Sequence, residues 1–304
     1  MNVYFKKRQW LFYTILAALS WGFWGILTKS ISSEISPFTT HFMFTVGMLF
    51  SLAFIVRKCK VSKMNRKGII WGIGAGIIAV CGNVSVYQSF KMGGQAAVVI
   101  PLTNLYPLIT ITIALFIFKE KLHWKDVVGI LIIVPAILFL SGQSQLFSDP
   151  SSFFQDMGLQ AWLLFALLSF VLFGLFSASQ KVTTNFLSSE WSYLSFIISS
   201  ILVSIAFIAF GLVDFNFSPH TFLIGSLAGA LDGLGVLFIY SAYRAFGTAT
   251  KVSSIAASLH QVFTVFLAFL ILNERLDLRA LIGIVFAIYG TLLLSAEKRN
   301  GIVY

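Results

Sequence analysis

Charge, cysteine and proline are all scarce in this chain. Asp, Glu, Lys and Arg make up 11% of its 304 residues, against about 25% in a typical water-soluble domain. That shortage, with a hydrophobic content of 58%, excludes a globular protein whose main solvent is water. Two cysteines, Cys59 and Cys81, are too few for a disulfide framework or a zinc site and read as unpaired thiols. No phosphate loop, zinc signature or nucleophile elbow occurs, so neither a metal nor another cofactor is expected. An ATP-driven pump acting alone is disfavoured for the same reason. "GIGAG" (72–76) follows no strand and lies inside an apolar run, which makes it a helix-packing stretch.

What the chain has instead is long apolar runs. Ten approach the roughly 20 residues that cross about 30 Å of hydrocarbon. They lie near 10–29, 37–57, 68–90, 96–118, 126–142, 159–181, 191–213, 219–243, 250–272 and 278–296. The runs are continuously apolar rather than alternating, so helices are expected and a barrel is not. The first run follows "KKR" (6–8) as a signal peptide would. It is longer than such a segment and nine more runs follow, so it reads as a span.

The net charge of +10 does not point to nucleic acid, because the basic residues cluster between apolar runs. With the N-terminus in the cytoplasm and alternating sides, 17 of the 21 Lys and Arg fall inside. Lys29, Lys91, Arg275 and Arg279 fall outside. This asymmetry predicts a multi-pass protein of the cytoplasmic (plasma) membrane with both termini cytoplasmic. The lipid bilayer is its one certain partner, and the sequence admits a homodimer.

The longest connection, residues 143–158, lacks Lys and Arg and divides the chain into 1–142 and 159–304. The two parts repeat each other. "FKEKLHWKDVVGI" at 118 lies on "LNERLDLRALIGI" at 272, matching Glu120 to Glu274 and Gly129 to Gly283. "WGFWGILTK" at 21 lies on "FGLFSASQK" at 173, and Tyr87 on Tyr240. Five spans per half is an odd number, so the second half enters from the opposite side. The expected fold is an all-α integral membrane protein with ten transmembrane helices as two inverted five-helix repeats.

Lone polar groups inside such runs mark cavity-facing or protein-lined positions, because they are costly in lipid. In the fourth span, "AVVIPLTNLYPLITITIALFIF" (97–118) holds Pro101 and Pro107, with Thr103, Asn104 and Tyr106 between or beside them. Each proline removes an N–H and releases the carbonyl four residues earlier, at Ala97 and Thr103. Asp232 is the one acid deep inside a span. An isolated carboxylate there costs about 2.5–3.5 kcal/mol, so it faces a cavity, pairs, or carries a proton. Tyr240 and Tyr243 continue its face, while Gly229, Gly233 and Gly235 allow close helix approach. His260, with Gln261 beside it, sits mid-way along the ninth span, opposite Tyr106 in the repeat. Asp232 and His260 are therefore candidates for proton coupling or for an amino-type solute. Trp21, Trp24, Asn83 and Tyr87 complete the candidate solute-binding set, against the plainer reading that such aromatics only pack. Lys29 and Lys181 read as snorkelling anchors, and Glu120 and Glu274 as turn-closing residues.

The ten spans, "WG" then Lys in the first, "IPLTNLYP" and the repeated F-x-x-E-x-L element resemble the drug/metabolite transporter superfamily, in particular its EamA-type branch. His41 in "SPFTTHFMF" is a departure, since many relatives carry Arg there. The resemblance implies a secondary carrier for small organic solutes: an exporter of amino acids, other metabolites or drug-like compounds. An uptake carrier for sugars or nucleotide sugars is the alternative it leaves open. It also implies a cavity lined by the first, third and fourth spans and by the sixth, eighth and ninth. From another class, a membrane enzyme on lipid-linked substrates is disfavoured, because paired acids and a catalytic head are missing.

Overall fold

The computed structural model describes residues 9–59, 64–118, 124–140, 161–245, 247 and 249–295. Among them every regular element is a helix. The first half contributes α1 (Gln9–Ile31), α2 (Pro37–Lys58), α3 (Arg66–Lys91), α4 (Ala96–Thr103), α5 (Pro107–Phe118) and α6 (Trp124–Leu140). The second contributes α7 (Ala161–Phe186), α8 (Ser189–Ala209), α9 (Pro219–Arg244), α10 (Ala249–Ile271) and α11 (Leu278–Ser295). Seven helical stretches are long and apolar enough to cross a membrane, and Leu278–Leu293 is a shorter apolar one. The chain is a multi-pass membrane protein. Residues 143–158 and Glu120 lie outside the described residues.

Side-chain caps set where the helices begin, and the caps repeat. Ser36 Oγ accepts the Thr39 N–H at 3.0 Å and Ser188 Oγ accepts the Trp191 N–H at 3.4 Å. Asn65 Oδ1 accepts from Gly68 at 3.2 Å and Ser218 Oγ from Thr221 at 3.0 Å. Each satisfies an N–H that the helix itself cannot. The turn after α3 is also built twice. Gly94 N–H donates to Ser89 O at 3.0 Å, and Gly247 N–H donates to Ala242 O at 3.0 Å. A Cβ would approach those same oxygens to 2.9 and 2.8 Å, so both turns need glycine.

Packing follows the repeat as well. The α3–α7 contact has its counterpart in α9–α1, the α9–α2 contact in α3–α8, and the α10–α1 contact in the packing of α4 and α5 on α7. The α6–α11 and α2–α8 contacts map onto themselves. A two-fold relation between the halves produces this exchange.

The fourth span breaks as its composition predicts, but its carbonyls behave otherwise. Residues 104–106 form a turn between α4 and α5, and Pro107 opens α5, where its missing N–H costs nothing. The Thr103 carbonyl is not free, because the Tyr106 N–H donates to it at 3.1 Å. The chain tightens into an i+3 bond and so replaces the bond that Pro107 removes.

Candidate functional site

Where α1, α3, α7, α8, α9 and α10 meet the α4–α5 turn lies a cavity of about 50 Å³. A few waters would fill it, whereas sites for drug-sized ligands run to about 300–1,000 Å³.

Polar groups from both halves converge there. Asp232 enters from α9, and the side chains of Asn83 on α3 and Trp21 on α1 lie against its carboxyl group. Trp21 approaches without completing the bond: neither its Nε1 nor Asp232 Oδ2 has a hydrogen-bond partner in the protein. His260 enters from α10, its Nδ1 within hydrogen-bond distance of Asn104 Oδ1 at 3.1 Å. Its other ring nitrogen, Nε2, is buried without a hydrogen-bond partner. The Trp21 and Trp24 rings flank the imidazole at 5.9 and 6.0 Å. Trp24 Nε1 and Asn104 Nδ2 are also buried without partners. Buried polar atoms are nearly always bonded, so water or a solute would have to supply the partners that these atoms lack in the protein.

Trp21, Trp24, Asn83, Asn104, Tyr106, Asp232 and His260 line the cavity. Asp232 and His260 share it, but the His260 partner is Asn104 and the Trp21 ring neighbours both groups. Thr103, Tyr87, Tyr240, Tyr243 and Gln261 stand behind the walls. Thr103 turns its hydroxyl onto Ile100 O at 3.0 Å, and Tyr87 packs on Trp24 and Phe44. Gln180 and Ser177 lie against Tyr240 and Tyr243. Gln261 is fully buried away from the space. His41 is a packing residue: its Nε2 donates to Ser200 O at 3.3 Å between α2 and α8.

The model of the EamA-like transporter family matches residues 8–142 and again 160–296. The chain belongs to the EamA-like transporter family. An uncharacterized transporter of Clostridium kluyveri is 24% identical over 97% of this chain and 95% of its own length. An uncharacterized protein of Methanocaldococcus jannaschii is 24% identical over 42% of this chain and 92% of its own. A solved structure superposes with a TM-score of 0.67 at 15% identity, covering 95% of this chain and 98% of that one; it shows the fold alone. Family and transporter-named relative both point to a transporter rather than an enzyme.

This EamA-like protein also lines its cavity with residues that a search for polar outliers misses: Ala79, Phe173, Phe176, Phe196 and Val236, with Ser177 and Gln180. A signal for most of them was available. Phe173 and Phe176 are the repeat mates of Trp21 and Trp24, Ala79 of Asp232, and Val236 of Asn83. Phe196 brings in the seventh span, beyond the six that the resemblance implied.

At one end of the bundle the two halves are joined by a side-chain contact. Glu274, before α11, accepts the Ala96 and Ala97 N–H groups at 2.9 and 2.8 Å. These are the first free donors of α4, whose own N-cap residue, Gln95, makes no side-chain bond. Carboxylate, helix dipole and two donors reinforce one another. Lys29 donates to Phe90 O at 3.2 Å and adds a favourable charge beside Glu274. At the other end its repeat mate Lys181 sits 5.5 Å over the Tyr243 ring, as Lys29 sits 5.6 Å over Phe90. These lysines are bonded within the fold, so they do more than anchor to the interface.

Proposed function

We propose that this chain is a secondary transporter that moves a small organic solute across the cytoplasmic membrane by alternating access. The observation that carries this reading is the small cavity between two-fold-related halves, lined by unpartnered buried polar groups that include a lone carboxyl. Ten spans in two inverted repeats, 1–142 and 159–304 around an external connection, would give each half the same pair of tilts in opposite order. The halves then rock between states open on either side. The Lys and Arg distribution supports cytoplasmic termini, which would put the Glu274–α4 contact at the outer face. Export is the direction proposed, with an amino acid, another metabolite or a drug-like compound as cargo.

Reconstitution into proteoliposomes tests the reading. Saturable solute flux is the expected result, and chemical modification of a solute without flux would overturn it. The outer contact gives a second expected result. Glu274→Gln removes the charge and one of two acceptors, and hydrogen bonds to charged groups are each worth about 1.5–3 kcal/mol. A cysteine at Tyr106, which lines the cavity, should then react with an impermeant thiol reagent added outside about tenfold faster or more than it does with Glu274 intact. Equal rates would show that Glu274 does not hold the outer side closed.

A further inference from the structure

The cavity walls can be sorted by their repeat mates, and the sorting exposes an asymmetry. Trp21 packs onto Gly235 of α9, where a Cβ would strike the indole. Its mate Phe173 packs onto Gly82 of α3, the mate of Gly235, where a Cβ would come within 2.7 Å of the ring. Asp232 lies three residues before Gly235, and Ala79 three before Gly82. Trp21 therefore stands to Asp232 as Phe173 stands to Ala79. One backbone frame is used twice, once as a polar lobe and once as an apolar one.

Asp232, Asn83, Trp21 and Trp24 furnish the polar lobe, with His260 at its border. In the other lobe the mates are Ala79, Val236, Phe173 and Phe176, with Phe196 closing it. Its polar groups are uncharged: Ser177 and Gln180 lie near Tyr243 and Tyr240, with Ser177 Oγ and Gln180 Nε2 unpartnered, and the Tyr106 hydroxyl donates to Ser253 O at 3.3 Å. No Lys or Arg is among the lining residues, so nothing there offers a fixed positive charge to a carboxylate or phosphate.

We propose that, with the halves parted on one side to enlarge the cavity, the two lobes together bind a small amphiphilic amine, its protonated nitrogen at Asp232 and its apolar or aromatic body between Phe173, Phe176 and Phe196. This rests on the transporter reading above and names its cargo. An ammonium group suits the polar lobe in three ways. Asp232 Oδ2 is an unpartnered acceptor, Asn83 can offer a carbonyl, and the indole faces of Trp21 and Trp24 attract a cation. A charged head without an apolar body would leave the second lobe unfilled. An apolar body without a charge would leave Asp232 buried and unpaired.

Isothermal titration of the purified full-length protein tests this with four probes: phenethylamine, 2-phenylethanol, ethylamine and phenylalanine. Phenethylamine should bind about tenfold to a hundredfold tighter than each of the others, the range expected when one charge-assisted contact or one apolar body is lost. Asp232→Asn should erase the preference for amine over alcohol. Phe173→Leu should weaken phenethylamine while leaving ethylamine unchanged. Equal binding of alcohol and amine, or preference for the zwitterion, would overturn the proposal. The wild-type series decides the point even if a variant does not fold. Amine binding without flux would remove the transporter reading and leave the site standing. Saturable flux of another solute that amines do not inhibit would do the reverse.

Discussion

Proteoliposomes carrying Asp232→Asn are expected to show solute flux reduced about a hundredfold or to background, with no loss of folded protein. The substitution is close to isosteric, and its amide can still bond Asn83. What disappears is the negative charge and the capacity to exchange a proton. Both would be needed at the one acid that lines the cavity. Stability should move the other way. Asp232 is 5% exposed and its Oδ2 has no partner in the protein, and a lone buried carboxyl opposes folding in a bilayer. Asp232→Asn should therefore unfold at the wild-type temperature or a few degrees higher. Lost transport with retained or increased stability is the signature of a residue kept for function. The measurements are flux at several pH values and a thermal unfolding curve on the same preparation. Unchanged flux with unchanged pH dependence would make the carboxyl a structural group.

Span by span, the architecture was readable because each signal is local. Apolar length and the Pro107 break both act within a few residues. The polar half of the site was readable for a related reason: Asp232, Asn83 and His260 are conspicuous where lipid sets the cost. Helical phase was less informative. Tyr240 and Tyr243 follow Asp232 on one face of α9, yet they stand behind the wall, because α9 and α7 converge there and Ser177 and Gln180 occupy the front. The apolar half was hidden for a physical reason. Phe173 and Val236 look like any lipid-facing residue until the repeat assigns them to the frame that holds Trp21 and Asn83. Glu274 also looked like a local turn residue, since nothing near it in sequence shows that α4 of the other half lacks a cap.

The crossing of α2 and α9 carries the second large effect, expected from a single methyl group. Gly229→Ala should abolish recovery of monodisperse protein, whereas Gly74→Ala should leave it at the wild-type level. A Cβ on Gly229 would overlap the backbone Cα and carbonyl of Phe44, and one on Gly47, across the same crossing, would strike the Ser226 carbonyl. Overpacking a core typically costs about 1–3 kcal/mol when side chains can rotate away. Here the obstacle is main chain on both sides, so relief requires the helices to separate along their length. Asp232 lies one turn from Gly229, which means that separation would also displace the carboxyl from Asn83 and Trp21. Gly74 is the internal control: it is exposed on α3, and a Cβ there meets nothing within 4 Å. Its replacement gains helix propensity of up to about 1 kcal/mol. Size-exclusion profiles of the two variants, read beside their unfolding temperatures, provide the comparison. If Gly229→Ala elutes and melts like Gly74→Ala, then α2 and α9 do not touch backbone to backbone, and the close approach that places Asp232 in the cavity is wrong.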